Sequence, residues 1–257
     1  MKITLIGSGN IASHLGEVFK RAGHRIVQVS GSNPSTVRQL ARRLGSEAVD
    51  SVTALSNKTD LVVIAVPDRA IGKVAAALHL NGTTVVHTSG TVPLDIFPVH
   101  LKNVGIFYPV QTLTRGTKVR FREIPICIEA RSNKARTLLH NLGESISDSV
   151  VDIESEDRLR LHLAAVIVNN FSNHLFHIAE QLVESHGLDF KLLHPLIRET
   201  ARKATLISPG AAQTGPARRG DTAVIKKHLS LLGKRTRNAE IYRMLTDSIE
   251  ATNGPRL

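Results

Sequence analysis

The sequence is short of the residues on which several protein classes depend. Its 257 residues contain one cysteine, Cys127, which excludes an internal disulfide framework and a cysteine-rich metal site. That residue lies in Ile124-Pro-Ile-Cys-Ile128, a run that reads as a core strand, and a lone thiol suits a reducing cytoplasm. Tryptophan is absent and aromatic residues make up 4%, so platforms for stacking nucleic-acid bases are few. The longest apolar stretches are interrupted by His or Asn, and none reaches the length of a membrane span. No room for a secretory signal precedes the first strand. Internal repeats and low-complexity segments are also missing. A soluble, cytoplasmic protein with no membrane partner is the expectation.

What is present is ordinary in amount but uneven in charge. A hydrophobic content of 42% and a charged content of 21% suit one large domain or two modest ones, with a sizeable core. The formal net charge is +11. Basic residues fall in scattered pairs, Arg42-Arg43, Arg218-Arg219, Lys226-Lys227 and Lys234-Arg235, as on a solvated surface. Nucleic acid therefore ranks last among the candidate partners. Such a field would also favour an anionic cofactor and an anionic small-molecule substrate.

The most informative stretch is the start of the chain. An apolar run, Ile3 to Ile6, reads as a buried strand, and Gly7-Ser8-Gly9-Asn10-Ile11-Ala12 follows it. A helical pattern then begins with Ile11, Leu15, Val18 and Phe19. Strand, glycine turn and helix in that order form a dinucleotide-binding unit. Gly7 allows the tight turn, Gly9 lets the backbone approach a pyrophosphate, and Ala12 lets helix and strand pack closely. The second strand, Arg25 to Ser30, sharpens the cofactor. An acid at its end would bind the adenine ribose of NAD, but the sequence offers Ser30-Gly31-Ser32-Asn33, with Arg38 on the following helix. Small hydroxyl donors, a helix start and an Arg suit the 2′-phosphate of NADP. Ser32-Asn33-Pro34-Ser35 can at the same time cap that helix.

Further strands are expected at 46–52, 60–68, 83–90, 105–112 and 124–129, and 145–153 closes the sheet. The run Asp60 to Asp68 is apolar on both faces through Val66, as in a central parallel strand, and ends in Pro67-Asp68, where the chain leaves the sheet beside the cofactor. His87-Thr-Ser89-Gly90 ends the next strand on the same edge, so Ser89 is a candidate substrate contact or a turn former. From Glu154 to His186 the pattern predicts one long helix, apolar nearly all round and therefore buried. His162, Asn169, Asn173 and His177 share one stripe on it. Unpaired buried polar groups cost about 1–3 kcal/mol each, so the stripe points to a lined pocket. His162 is the candidate proton donor, and Asn169 and Asn173 are candidate substrate contacts. Helices are expected at 192–207, 222–232 and 239–251. The turn-rich loop 208–221 offers Arg219 as a clamp for a carboxylate or phosphate, unless it pairs with Asp221 or Asp221 caps the next helix.

The organisation is thus an α/β, doubly wound Rossmann-type domain at 1–153, followed by an all-α domain at 154–257. With Gly7-Ser-Gly9-Asn, His87-Thr-Ser-Gly90, Tyr108-Pro-Val-Gln-Thr112, His162-Leu-Ala-Ala-Val166 with Asn169-Asn-Phe171, and Thr214-Gly-Pro216 through Arg219-Gly-Asp221 to His228-Leu229, the chain resembles a known group. It is similar to the 6-phosphogluconate dehydrogenase-like superfamily, to which pyrroline-5-carboxylate reductase and ketopantoate reductase belong. It looks most like Rossmann-like NADP oxidoreductases with a C-terminal helical domain of unknown function. The resemblance implies NADP-dependent reduction of a small C=O or C=N substrate, a ketoacid or an imine, and a homodimer built by the helical domain. Tyr108 departs from the His-Pro of that group, and the long helix lacks the Lys-x-x-x-Asn of hydroxyacid dehydrogenases, so no lysine acid carries over. A non-catalytic NADP-binding sensor or scaffold is the alternative.

Overall fold

The first three-fifths of the chain carries the strands, with helices between them: β1 (Lys2–Ile6), α1 (Asn10–Arg21), β2 (Arg25–Ser30), α2 (Pro34–Leu44), β3 (Glu47–Val49), β4 (Leu61–Ile64), α3 (Asp68–Ala76), β5 (Thr84–His87), β6 (Val104–Pro109), β7 (Ile126–Ala130), α4 (Asn133–Ile146) and β8 (Val150–Asp152). This computed structural model describes residues 1–56, 59–233 and 235–253. Lys234 of the Lys234-Arg235 pair lies outside them. The strands form one sheet in the order β3-β2-β1-β4-β5-β6-β7-β8. All neighbours run parallel except β6 and β7, which are antiparallel.

Alternation along the strands explains the layering. On β4, Leu61 and Val63 join a core with Leu5, Phe19, Phe107 and Leu139. Val62 and Ile64 face the opposite layer with Ile71, Leu78 and Phe97. All four β4 side chains are buried, at about 1.5–3 kcal/mol each, which is why the run reads as apolar without a period. Local signals set the helix ends. Asn33 caps α2 by accepting from the N–H groups of Ser35 and Thr36, Pro34 opens it, and Gly45 closes it at φ +70°. The apolar positions Ala135, Leu139, Leu142 and Ile146 keep helical spacing. Residues 145 and 146 therefore end α4 rather than opening the last strand, which begins at Val150.

The remainder is helical: α5 (Ser155–Ala165), a π-helical segment (Val166–Phe171), α6 (Ser172–Glu184), α7 (His194–Leu206), α8 (Pro209–Ala212), α9 (Pro216–Arg219), α10 (Thr222–Leu232) and α11 (Arg237–Asn253). The single long helix expected over 154–186 is thus interrupted, and a constant 3.6-residue period does not hold through 166–171. The expectation that it is buried is also overturned within one chain. Leu163, Ile167, Val168 and Phe171 are all more than half exposed. The expected loop at 208–221 contains two short helices, each opened by a proline. Contacts divide the chain into two compact units, Met1–Asn170 and Phe171–Leu257. Among the described residues, no helix is long and apolar enough to cross a membrane.

One core histidine gives the fold a pH dependence. His87 on β5 is fully buried and stacks on Phe97 with ring centroids 5.4 Å apart. Its Nδ1 accepts the Ser89 N–H. Burial, with the Arg158 charge second, pushes its pKa down to about 4. The unfolded chain takes up a proton at the ordinary value of 6.5, whereas the folded chain resists until about 4. Stability is therefore full above 6.5 and falls as pH drops towards 4. The expected contribution is a loss of about 2 kcal/mol between pH 7 and 5. Urea midpoints at those two pH values should fall further for the wild type than for His87→Asn. Equal falls would remove His87 as the cause.

Candidate active site

The glycine turn at the end of β1 is built by a backbone crossing. Gly7 has φ +124°, and a Cβ there would lie 2.1 Å from the Ala65 carbonyl oxygen. Its N–H donates to Ser30 O at 2.7 Å, while the Ala65 N–H donates to Ile6 O at 2.7 Å. The ends of β2, β1 and β4 are thus pinned together at the point where the sheet order reverses, which opens the crevice of a doubly wound sheet. Gly9 precedes α1 with no side-chain cap, and a Cβ on it would meet nothing within 4 Å. The first N–H groups of α1 therefore remain open to an anion. Ala12 is fully buried behind the turn.

A cavity of about 820 Å³ lies over this turn, a size suited to a cofactor. Its wall includes Gly7, Ser8, Gly9, Asn10 and Ile11 from the turn, Ser30, Gly31 and Ser32 from the end of β2, and Val66 and Pro67 from the end of β4. Arg38 stands outside this wall, exposed on α2. The Ser8 and Thr36 hydroxyls meet at 2.7 Å, joining the turn to α2. Open helix N–H groups, hydroxyls and no acid at the end of β2 fit a phosphorylated dinucleotide. Asp50, Gln111 and Leu113 also line the cavity. Arg115 donates to Ser8 O at 2.8 Å, and His14 Nε2 lies 2.9 Å from Thr114 O. The Arg115 and His14 contacts join residues 107 and 100 positions apart, so no local pattern signals them.

The next strand ends carry the acid–base groups. Asp68, in the cavity wall, accepts a hydrogen bond from the Thr91 hydroxyl. The Ser89 hydroxyl accepts the N–H groups of Thr91 and Val92 at 3.1 and 3.0 Å and lies 3.2 Å from the Thr91 hydroxyl. Ser89 is therefore engaged as a turn former. The neighbouring Gly90 packs on His162 and Tyr108, and the Tyr108 hydroxyl lies 3.1 Å from His162 Nδ1. Burial raises the Tyr108 pKa.

Position 162 is set one turn earlier on α5. Arg158 is fully buried, pairs with Glu129 on β7, and donates to Val92 O at 2.6 Å. Ser155 donates to the same Glu129 carboxylate at 2.8 Å. His162, four residues on, shares the face of Arg158. The rest of the expected stripe differs: Asn169 is exposed in the π segment, and Asn173 and His177 are exposed on α6. His177 lies 3.2 Å from Glu180. These side chains do not form a buried polar row within one chain, because the helix that carries them is itself uncovered. Arg219 is exposed at the end of α9, and Asp221 caps α10 through the Val224 N–H.

Comparison with known proteins agrees with this architecture. The family model described as NADP oxidoreductase, coenzyme F420-dependent, matches residues 2–90. A domain of unknown function, DUF2520, matches residues 124–249. No curated protein matches the sequence. Among solved structures, a "putative NADP oxidoreductase" from Bacteroides fragilis is 35% identical over 97% of this chain and 98% of its own, with a TM-score of 0.90. Pyrroline-5-carboxylate reductase from Streptococcus pyogenes is 17% identical over 99% of each chain, at a TM-score of 0.63. A reductive aminase from Aspergillus terreus, solved with NADPH, is 13% identical over 97% of this chain and 92% of its own, at 0.72. The last two show the fold alone. With a dinucleotide crevice at its start and a helical second unit, the chain belongs to the NADP oxidoreductase family that joins this Rossmann-type domain to DUF2520.

Proposed function

We propose that the protein is an NADP-dependent reductase of a small C=O or C=N compound, a ketoacid or an imine. The observation that carries this reading is continuity within one unit. Asp68 in the cavity wall bonds to Thr91, Thr91 meets Ser89, and Gly90 packs on His162. The His162 imidazole therefore stands a few residues from the dinucleotide crevice, against Gly90 and Tyr108. The cofactor supplies the hydride when bound. The turn from Gly7 to Ala12 holds its phosphates, and Ser30 to Ser32 with Arg38 receive the 2′-phosphate. His162 holds the proton that the reduced oxygen or nitrogen needs. Asn169 orients the substrate, and Ser89 supports the edge from its turn. Asn173 and Arg219 are exposed on the second unit.

A homodimer completes this reading. Among the described residues from 171 onward, only Ala239 and Thr246 are buried. Helices this apolar need a core, and an uncovered face of this extent marks an association surface. A second copy is the simplest cover, because closed symmetric pairing leaves no further face open. The lone cysteine supports a cytoplasmic setting.

Three measurements test these assignments. NADPH should bind at least about tenfold more tightly than NADH by fluorescence titration, and Arg38→Ala should narrow that ratio. Equal affinities would remove the 2′-phosphate assignment. On panels of cyclic imines and 2-ketoacids, His162→Ala should lower kcat by about 100-fold or more while NADPH affinity holds. Undiminished turnover would discard His162. Sedimentation should show a dimer that Val168→Asp weakens, and a wild-type monomer at micromolar concentration would refute the shared core.

A further inference from the structure

Three elements deliver Tyr108, Gly90 and His162 to one point. β6 runs parallel to β5, so Tyr108 near its end reaches the edge that carries Gly90. Gly90 has no unusual backbone angle, so its missing side chain is a matter of space. A Cβ there would lie 2.6 Å from His162 Nδ1 and 2.9 Å from Tyr108 Cζ. The two rings meet edge to face, with centroids 6.0 Å apart at 62°. Tyr108 is buried, and its hydroxyl spends its hydrogen bond on Nδ1 at 3.1 Å. The other ring nitrogen of His162, Nε2, has no hydrogen-bond partner among the described residues, on a side chain that is only half-buried. A buried hydroxyl seeks some partner. Here that partner is the imidazole read as the proton donor, and the hydrogen bond engages one nitrogen and leaves the other open.

We propose that Tyr108 is the positioning residue of the proton donor: it holds Nδ1 of His162 in both charge states and commits Nε2 to the substrate, in a slot that requires glycine at position 90. This rests on the reductase reading above. In the charged imidazole, Nδ1–H donates to the Tyr108 oxygen, and the Nε2 proton passes to the oxygen or nitrogen of the substrate as the adjacent carbon accepts hydride. The imidazole is left neutral, and Nε2 recovers a proton from solvent. Where the neutral ring instead carries its hydrogen on Nε2, the phenol turns and donates to Nδ1. The phenol keeps its proton throughout, and its raised pKa supports that. A second nitrogen fixed in this way orients the ring as well as selecting its tautomer.

The test uses Tyr108→Phe, which removes one oxygen from a buried ring, and Gly90→Ala, which presses a methyl group on the imidazole without straining the backbone. In long-range proton–nitrogen spectra of the cofactor-free, full-length protein, the His162 signals are those lost in His162→Gln. Tyr108→Phe should shift the Nδ1 signal and change the tautomer ratio. An unchanged signal would overturn the pairing. On a substrate that the wild type reduces, both variants should lose about tenfold or more in kcat, with KM within about twofold and NADPH affinity unchanged. A shifted signal with kcat unaltered would overturn the role in proton delivery. Absence of turnover on every imine and ketoacid, with the spectra shifting as expected, would instead refute the reductase reading and leave the pairing standing.

Discussion

The crossing of backbone at Gly7 is the constraint on which the rest depends. The Ala65 carbonyl occupies the space where any other residue would place Cβ, and the Gly7 N–H is held by Ser30. Three strand ends therefore converge on one residue that has no side chain and a positive φ. The convergence leaves the first N–H groups of α1 open, and it places the ends of β2 and β4 on either side of them. The crevice is thus a product of backbone geometry, and side chains only line it.

A second tie fixes the chemistry to that frame. Arg158 sits without solvent contact between Glu129 and Val92 O, and its Nε has no partner among the described residues. Taking such charges out of water costs several kcal/mol per ion, so a buried pair is weak evidence of net stability. Losing one partner is a different matter, at about 3–5 kcal/mol. The pair is therefore better understood as a device that admits one arrangement of α5 on the sheet. That arrangement puts position 162 against Gly90 and Tyr108, a pairing that would tolerate little slippage.

Much of this was legible in the sequence, for reasons that can be named. The turn from Gly7 to Ala12 is local, and so are the Asn33 cap and the two-sided apolar run of β4. The acid-free end of β2 needed only one strand end to be read. Other features depend on residues far apart in the chain. Arg115 over Ser8, Gln111 in the cavity wall, and Tyr108 on His162 are products of topology. In the sequence Tyr108 stands out only as a departure from a resemblance, whereas its contact with His162 gives it a physical place. The π segment has no signature in a 3.6-residue pattern. The burial expected of the helix over 154–186 does not occur within one chain, where Leu163, Ile167, Val168 and Phe171 are all more than half exposed.

The reversed direction of β7 has a consequence for how the site can vary. Because β7 runs against β6, the connection between them need not return across a face of the sheet, as a parallel crossover would. It stays at the carboxyl edge, with Gln111 and Leu113 in the cavity wall and Arg115 at the glycine turn. One reversal thus gives the cofactor side a connection free of any duty in the sheet. Leu113, Phe121 and Ile124 of this connection pack into the core. The exposed residues 114–118 between them can change in charge while the strands hold still, so proteins of this architecture have a means of diverging in what they bind.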